Sequence, residues 1–232
     1  MNFEKTLISG ELIKRYKRFF VDVKINNNIV TAHCPNTGSM MGLLDKGNKV
    51  WLTKTDDPNR KLKYTLQIIE IGKQKVGVNT HLTNKIVHES LNDRSIKYFE
   101  KAQKVIPEVK FGKNTRFDFL VSENRQKSFI EVKNVTLVRR KGVAEFPDAV
   151  TTRGLKHINE LINASKKGYK ICLFFLIQRD DCDKFEIAKD IDPKYYDLLV
   201  KAVKKKLKIL CYDCKFFPKG IKLNRKIDFK LK

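Results

Sequence analysis

Two acids and a lysine lie on consecutive segments that the sequence predicts to be β-strands. Asp118 belongs to RFDFLV, Glu131 and Lys133 belong to SFIEVKNVTLV, and the polar loop SENRQK separates the two segments. If Val121 pairs with Ser128 in a hairpin, Asp118 lies directly opposite Glu131. Because side chains alternate along a strand, this register predicts that the two acids and the lysine share one face.

Opposed carboxylates need a reason to be there. At 4 Å they repel by about 4 kcal/mol at an effective dielectric near 20, and a divalent cation reverses that sign. Carboxylate oxygens suit Mg²⁺ or Mn²⁺, so Asp118 and Glu131 are candidate metal ligands, and Lys133 is placed to stabilise a reacting phosphate. The register also places Arg116 opposite Lys133, on the same face. The alternative is a surface lattice in which Arg116 and Lys133 simply pair with the acids.

The elements around this hairpin predict an α/β domain. TTRGLKHINELINASKKG has a threonine N-cap, an apolar stripe and a glycine stop, which are typical of a helix. ICLFFLIQ is apolar throughout, as a strand buried between parallel neighbours is. A second helix from Pro193 to Lys206 and final strands in KILCYDCKF and IKLNRKIDF complete the predicted domain, residues 84–232.

The first part of the chain has a different pattern. Short strand-like segments, from RFFVDVKI to KVGVNT, are separated by turn signals and contain no convincing helix. This pattern predicts a small OB-like β-barrel over residues 1–83, a fold whose strands and loops commonly bind oligonucleotides.

The charge balance indicates the class of partner. Lys and Arg number 49 against 26 Asp and Glu, giving a net charge of +23. Such a field attracts phosphate backbones, so DNA is the leading candidate partner, with RNA as an alternative because OB barrels accept either type of single strand. An AT-biased genome is a competing explanation for the abundance of lysine.

Several function classes are disfavoured. The longest strongly apolar run, Ile171 to Ile177, is far shorter than a membrane helix, and the first residues lack signal-peptide order, so we expect a cytoplasmic protein. The five cysteines are scattered. Cys211 and Cys214 form a CxxC without a second ligand pair, so we expect ordinary strand residues rather than a zinc site.

Longer segments resemble a known family. RFDFLV, SFIEVKNVTLV, AEFPDAVTTRGLKHINEL and FFLIQRDD resemble the sugar fermentation stimulation protein family, as do CPNTGSM, RKLKYTL and VNTHLTNKIV nearer the start. The resemblance implies an OB-like domain followed by a PD-(D/E)xK nuclease-like domain, with Asp118 as the motif acid and Glu131-Val132-Lys133 as the E-x-K. It also implies DNA binding linked to sugar utilisation genes. A non-catalytic DNA-binding regulator on a nuclease-like scaffold is therefore the alternative to a metal-dependent nuclease.

Other residues are candidates for supporting roles. Nucleases of the resembled fold often add an acid from the preceding helix; Glu89 is the candidate metal ligand here and Glu108 the alternative. In the helix that begins at Thr152, Arg153 and His157 share the polar face and are candidate phosphate contacts, as is Arg116. A solvated helix face is the alternative for the first two.

The barrel offers further candidates for binding nucleic acid. Arg15, Lys17 and Arg18 precede Phe19 and Phe20, which combines phosphate contacts with stacking rings, although core positions are the commoner place for phenylalanine. The segment PNTGSM is either a binding loop or a turn, and Asp148 is a candidate cap for the helix that follows it.

Overall fold

The structure, a computed structural model, describes residues 1–112, 115–229 and 231. Within the barrel region of this part of the chain, the strands are β1 (Ile8–Tyr16), β2 (Phe20–Ile25), β3 (Asn28–His33), β4 (Lys49–Lys54), β5 (Tyr64–Ile71) and β6 (Gln74–Gly77). Pairing of β3 with β5 closes a five-stranded barrel in the order β1-β2-β3-β5-β4, and β6 extends β5 outside it. The predicted OB-like barrel is confirmed, with β1 as a strand additional to the predicted ones.

The barrel interior follows from alternation along these strands. Leu12, Val23, Leu52 and Leu66 are fully buried and pack into one cluster. Burying each such side chain contributes about 1.5–3 kcal/mol, so this cluster holds the barrel closed.

The remainder forms an α/β domain with three α-helices in the described residues. The helices are α1 (His81–Asn92), α2 (Thr152–Lys166) and α3 (Pro193–Lys204). The strands are β7 (Lys104–Phe111), β8 (Thr115–Glu123), β9 (Gln126–Val135), β10 (Leu137–Arg140), β11 (Val143–Phe146), β12 (Lys170–Ile177), β13 (Lys184–Ile187), β14 (Lys208–Phe217), β15 (Gly220–Lys226) and β16 (Asp228–Phe229). A short 3-10 helix, Lys97–Phe99, follows α1.

The main sheet has the order β15-β14-β12-β9-β8-β7. Its centre, β9-β12-β14, is parallel, and the hairpin β7-β8-β9 is antiparallel. Helix α1 packs with one apolar cluster of the domain and α2 and α3 pack with another. The strand predicted in ICLFFLIQ is β12, which is buried along nearly its whole length between two parallel neighbours. The mixed α/β architecture is confirmed.

Two features depart from the expected element pattern. Helix α1 begins at His81, inside the range predicted for the barrel. Leu82 in its first turn packs into an apolar cluster of the second domain, so the helix belongs to that domain. Strand β7 is an edge strand that includes Pro107, a residue that cannot donate to a ladder and that hides a strand from sequence patterns.

The two domains are joined by backbone and side-chain contacts. The Gly77 amide donates to the Gln178 carbonyl at 2.8 Å, and the Lys75 amide donates to the Asp180 carboxylate at 3.2 Å. A Cβ on Gly77 would lie 2.5 Å from Gln178 Oε1, so this close approach requires glycine. No helix among the described residues is long and apolar enough to cross a membrane.

Candidate functional site

The β8–β9 hairpin has the predicted register. Val121 pairs with Ser128, and the ladder continues to Phe119 and Ile130. The polar loop is shorter than its sequence implies, because the strands extend to Glu123 and Gln126. The ladder stops one residue before Asp118, so Asp118 and Glu131 are adjacent to its last pair rather than members of it.

Asp118 lies where the alternation of side chains between the two faces of strand β8 is interrupted. Phe117 packs into the cluster with α2 and α3, whereas Phe119 packs into the cluster with α1, although residues two apart share a face in a regular strand. Across from it on β7, Glu108 has a φ of 54°, a value that is uncommon for a side chain other than glycine. The predicted alternation is therefore interrupted at Asp118, and the expectation of one common face for all four residues is wrong for this reason.

Asp118 is held by two hydrogen bonds. Asn84 of α1 donates from Nδ2 to Oδ1 at 2.7 Å, and the Val132 amide donates to Oδ2 at 2.7 Å. Burial, followed by the negative charge of Glu131, raises the pKa of Asp118 to about 6, and the two hydrogen bonds oppose that rise only in part. The two acids therefore feel each other's charge, as the hairpin register predicts.

Glu131 is 3% exposed and forms a compact cluster with Lys133 and His157. Lys133 Nζ donates to Glu131 Oε1 at 2.7 Å, and His157 Nδ1 contacts the same oxygen. Lys133 Nζ also lies 3.3 Å from His157 Nδ1. Burial raises the pKa of Glu131, but the His157 hydrogen bond and the Lys133 charge outweigh it, so the net pKa is lowered. The other oxygen, Oε2, is buried without a hydrogen-bond partner among the described residues.

Helix α2 brings His157 to this cluster. Thr151 caps α2 by accepting from the Gly154 amide at 2.9 Å, as predicted. The Thr151 amide in turn donates to Asp192, whose side chain also caps α3. Arg153, the other candidate on this helix, is exposed in its first turn. These two caps fix the direction in which α2 begins, and this direction places His157 against Glu131.

Helix α1 offers Asn84 rather than Glu89 to the site. Glu89 forms a 2.7 Å ion pair with the Met1 ammonium group. Five residues separate Asn84 from Glu89, which places them about 140° apart around a helix with 3.6 residues per turn. Among the described residues, no cluster of three or more His, Cys, Asp or Glu side chains is placed to hold a metal ion. The structure therefore does not bring Glu89 to Asp118.

Glu108, the alternative acid, lies beside Asp118. Both line a cavity of about 190 Å³, together with Asn84, Lys85, His88, Pro107 and Phe119. Arg116 pairs with Lys110 across β7 rather than with Lys133, and its guanidinium lies 3.7 Å from Glu108. Both side chains of this pair are more than half exposed, so Arg116 remains accessible from solvent.

The barrel arginines have contrasting positions. Arg15 donates to the carbonyl oxygens of Asn36 at 2.7 Å, Gly38 at 3.0 Å and Arg18 at 3.1 Å, so its donors hold the loop together and the prediction of a free phosphate contact is not supported. Arg18 is exposed in the β1–β2 turn, and Phe19 beside it is 46% exposed rather than buried.

Asp148 has a different role from the predicted helix cap. Its Oδ2 accepts from the Ser39 amide at 2.9 Å and the Ser39 hydroxyl at 3.1 Å, which ties the PNTGSM loop to the second domain. A Cβ on Gly38 would lie 2.6 Å from the same oxygen, so this glycine serves a close approach. Cys211 and Cys214 are buried, unpaired residues of β14, as expected.

Sequence comparisons agree with this architecture. Residues 13–78 match the family model described as the SfsA N-terminal OB domain, and residues 81–220 match the sugar fermentation stimulation protein RE domain. A sugar fermentation stimulation protein homolog of Pelagibacter ubique is 58% identical over 227 residues, covering 98% of both chains. One from Maricaulis maris is 41% identical over 233 residues, covering 100% of this chain and 99% of that one.

A solved structure has the same fold. The structure of Pyrococcus furiosus SfsA in complex with Ca²⁺ superimposes with a TM-score of 0.89 at 24% identity, covering 99% of this chain and 98% of that one. Two family models and close full-length relatives together settle the relationship: the chain belongs to the sugar fermentation stimulation protein family.

Proposed function

We propose that this protein binds nucleic acid and cleaves phosphodiester bonds with Mg²⁺ or Mn²⁺ at Asp118 and Glu131. The observation that carries the proposal is the state of Glu131. Within the described part of the chain its Oε2 is buried without a partner, while Lys133 and His157 both lie at Oε1. A buried acceptor without a donor costs about 1–3 kcal/mol, so a structure retains one where a ligand completes it.

The residues present fit a hard divalent cation. Mg²⁺ is commonly bound by one or two carboxylates, with water and substrate phosphate filling the other positions, so Asp118 and Glu131 suffice without a third acid. The relative from Pyrococcus furiosus is described in complex with Ca²⁺, another cation that takes oxygen ligands. When bound, Mg²⁺ or Mn²⁺ would acidify a water molecule and neutralise charge on the phosphoryl oxygens.

The chain's own groups have separate tasks. Asn84 and the Val132 amide hold the Asp118 carboxylate, so its orientation is fixed before substrate arrives. Lys133 supplies a positive charge that is 12% exposed, where a developing phosphate charge is stabilised more strongly than in bulk water. His157 contacts both Glu131 and Lys133 and therefore acts as a positioning residue for them.

Metal binding is tested by titration calorimetry with Mn²⁺ on the wild type and on Glu131→Gln. We expect the variant to lose most of the affinity, whereas the exposed control Glu100→Gln binds as the wild type does. Equal Mn²⁺ affinity in Glu131→Gln and the wild type would refute the metal site.

Cleavage is tested on labelled single-stranded, duplex and RNA substrates with Lys133→Met, which keeps the buried stem of the side chain. We expect cleavage to fall by roughly 10²–10³-fold, as for loss of one preorganised charge, and binding to change little. Lys127→Met, on an exposed position of the same strand, is the control. If the wild type cleaves none of the substrates yet binds DNA, the non-catalytic regulator of sugar utilisation genes replaces the nuclease proposal.

Nucleic-acid binding itself should depend steeply on salt. The net charge of +23 is distributed over many lysines, so binding should tolerate sequence changes. With roughly 6–10 phosphate contacts, affinity falls by about 10³–10⁵-fold between 50 and 200 mM salt. A flat response to salt would contradict the electrostatic basis of the partner assignment.

A further inference from the structure

A second cavity lies between the barrel and helix α1. It encloses about 490 Å³ and is lined by barrel residues His33, Lys54 and Arg60 and by His81 and Lys85 of α1. Ligand pockets of roughly 300–1,000 Å³ accommodate small molecules, so this cleft has room for nucleotide-sized groups and not for a duplex. Both domains contribute walls, so the site exists only when they are assembled.

The charged side chains that line the cleft are mostly positive. Among the described residues that line it, Lys5, Lys54, Arg60 and Lys85 oppose a single carboxylate, Glu4. Glu4 reaches Lys85 at 3.2 Å in a pair whose side chains are 85% and 59% exposed, so solvent screens most of that attraction. Burial, followed by the charge of Arg60, lowers the pKa of His33, which lines the same cleft.

The floor of the cleft is polar and fixed. Gln67 and Asn79 are buried, and the Asn79 Nδ2 donates to Gln67 Oε1 at 2.8 Å. Gln67 Nε2 donates to Thr53, and Asn79 Oδ1 accepts from the His81 amide. A polar floor beneath cations disfavours an apolar protein partner and suits a phosphate backbone, whose unstacked bases can lie on imidazole rings such as His33 and His81.

The cleft continues towards the acids of the proposed active site. His81 and Lys85 lie four residues apart on one face of α1, and Lys85 also lines the cavity that contains Asp118. From His81 to His88, which lines the Asp118 cavity, α1 advances by about 10 Å at 1.5 Å per residue. Lys85 thus lines both cavities and lies between them.

We propose that this cleft binds one unpaired polynucleotide strand through its phosphates, with Lys85 leading the strand from Arg60 to Asp118. The proposal rests on the proposed function only in treating the bound strand as the substrate. The strand contacts His33 and His81 inside the cleft and crosses the first turns of α1 before it reaches the acids.

The test compares two doubly substituted proteins that lose the same charge. Arg60→Gln/Lys85→Gln alters the cleft, whereas Arg125→Gln/Lys127→Gln alters exposed residues at the β8–β9 turn. Binding of a fluorescein-labelled twelve-residue oligothymidylate and of a hairpin duplex is measured by anisotropy in EDTA. The altered residues are all exposed, and melting temperatures confirm that both proteins fold.

We expect the cleft variant to bind the single strand at least about tenfold more weakly, with the salt slope reduced by about 1.4 for two lost phosphate contacts. The turn variant should change by less than twofold. Equal losses in the two variants, or a larger loss for the duplex than for the single strand, would overturn the proposal.

The two proposals fail separately. If the wild type cleaves single strands and the cleft variant has unchanged affinity and KM, the cleft proposal falls and the phosphodiesterase stands. If the cleft variant loses single-strand binding and the wild type cleaves nothing, the cleft stands and the phosphodiesterase falls. A raised KM with unchanged kcat in the cleft variant supports both.

Discussion

The loop that follows β3 and the β8–β9 hairpin both involve charged residues at positions the sequence marks as functional, but these charges are used differently. Around the loop, Arg15 donates to four backbone carbonyls, and Asp148 accepts twice from Ser39. In the hairpin, Glu131 keeps one buried oxygen that receives no hydrogen bond from residues 1–112, 115–229 or 231, and Asp118 has a raised pKa.

Whether the hydrogen bonds of a charged residue are completed within the protein distinguishes a structural role from a ligand-binding one. A charge whose hydrogen bonds are completed within the protein contributes to stability, and its removal leaves orphaned partners. A buried acid that lacks a hydrogen-bond donor, or whose pKa is raised by burial, makes the folded state less stable than it could be. Such sites persist where function requires them. The charged residues that contact the loop should therefore stabilise the fold, whereas Asp118 should destabilise the metal-free protein.

The largest expected effect on stability comes from Asp118→Asn. Because burial raises the pKa of the folded-state carboxyl from 3.8 to about 6, its ionisation opposes folding. The protonated Asp118 carboxyl favours the folded state. Its contribution to stability is fully present below about pH 3.8 and is lost as the pH rises through 6. In EDTA at pH 8, we expect Asp118→Asn to raise the free energy of unfolding by up to about 3 kcal/mol, and by nothing near pH 3.5.

Denaturant titrations at the two pH values measure this difference. The amide introduced by Asp118→Asn can still accept from the Val132 amide if Asn84 turns its own amide over, so few hydrogen bonds are lost. Saturating Mn²⁺ should reverse the order, since a ligand that binds only the folded wild type stabilises it. A gain that is the same at both pH values would contradict an electrostatic origin.

The opposite result is expected for Arg15→Ala. Four carbonyl oxygens lose a charged donor, so the free energy of unfolding should fall by about 2 kcal/mol. For a chain of this length, that corresponds to a decrease in melting temperature of about 4–8 °C. Arg18→Ala, in the exposed turn, is the control and should shift the melting temperature by less than about 2 °C. A larger effect on DNA affinity than on stability would restore Arg15 as a binding residue.

A smaller loss is expected for Asp148→Ala. The carboxylate holds Ser39 from the other domain through two hydrogen bonds that lie near the surface. We expect a loss of about 1 kcal/mol, measured by thermal denaturation. Ser39→Ala should give a smaller loss, because the backbone amide of residue 39 still donates to Asp148. The double variant should lose little more than Asp148→Ala alone, because that change already removes the partner of the hydroxyl. Additive losses would show that Asp148 acts elsewhere.

The sequence predicts the scaffold well and the neighbours of the acids poorly. The hairpin register assumed across the polar loop is the one observed, and β12 follows from an unbroken apolar run. Asn84 and Glu108 could not be selected this way. The first depends on how the packing of Leu82 and Ile86 rotates α1, and the second on a backbone irregularity in β7. Both are settled by tertiary contacts that no local pattern encodes.

The smallest expected effect concerns Glu89 and decides which acid supports the site. Glu89 pairs with the Met1 ammonium group on the far side of α1 from Asn84, whereas Glu108 lines the Asp118 cavity. Mn²⁺ titrations should therefore give Glu89→Gln the affinity of the wild type within a factor of two. Glu108→Gln should weaken binding by less than about tenfold, because its carboxylate adds charge beside the ligands without contacting them. If Glu89→Gln weakens Mn²⁺ binding more than Glu108→Gln does, the helix supplies the third acid after all, and α1 must rotate when metal binds.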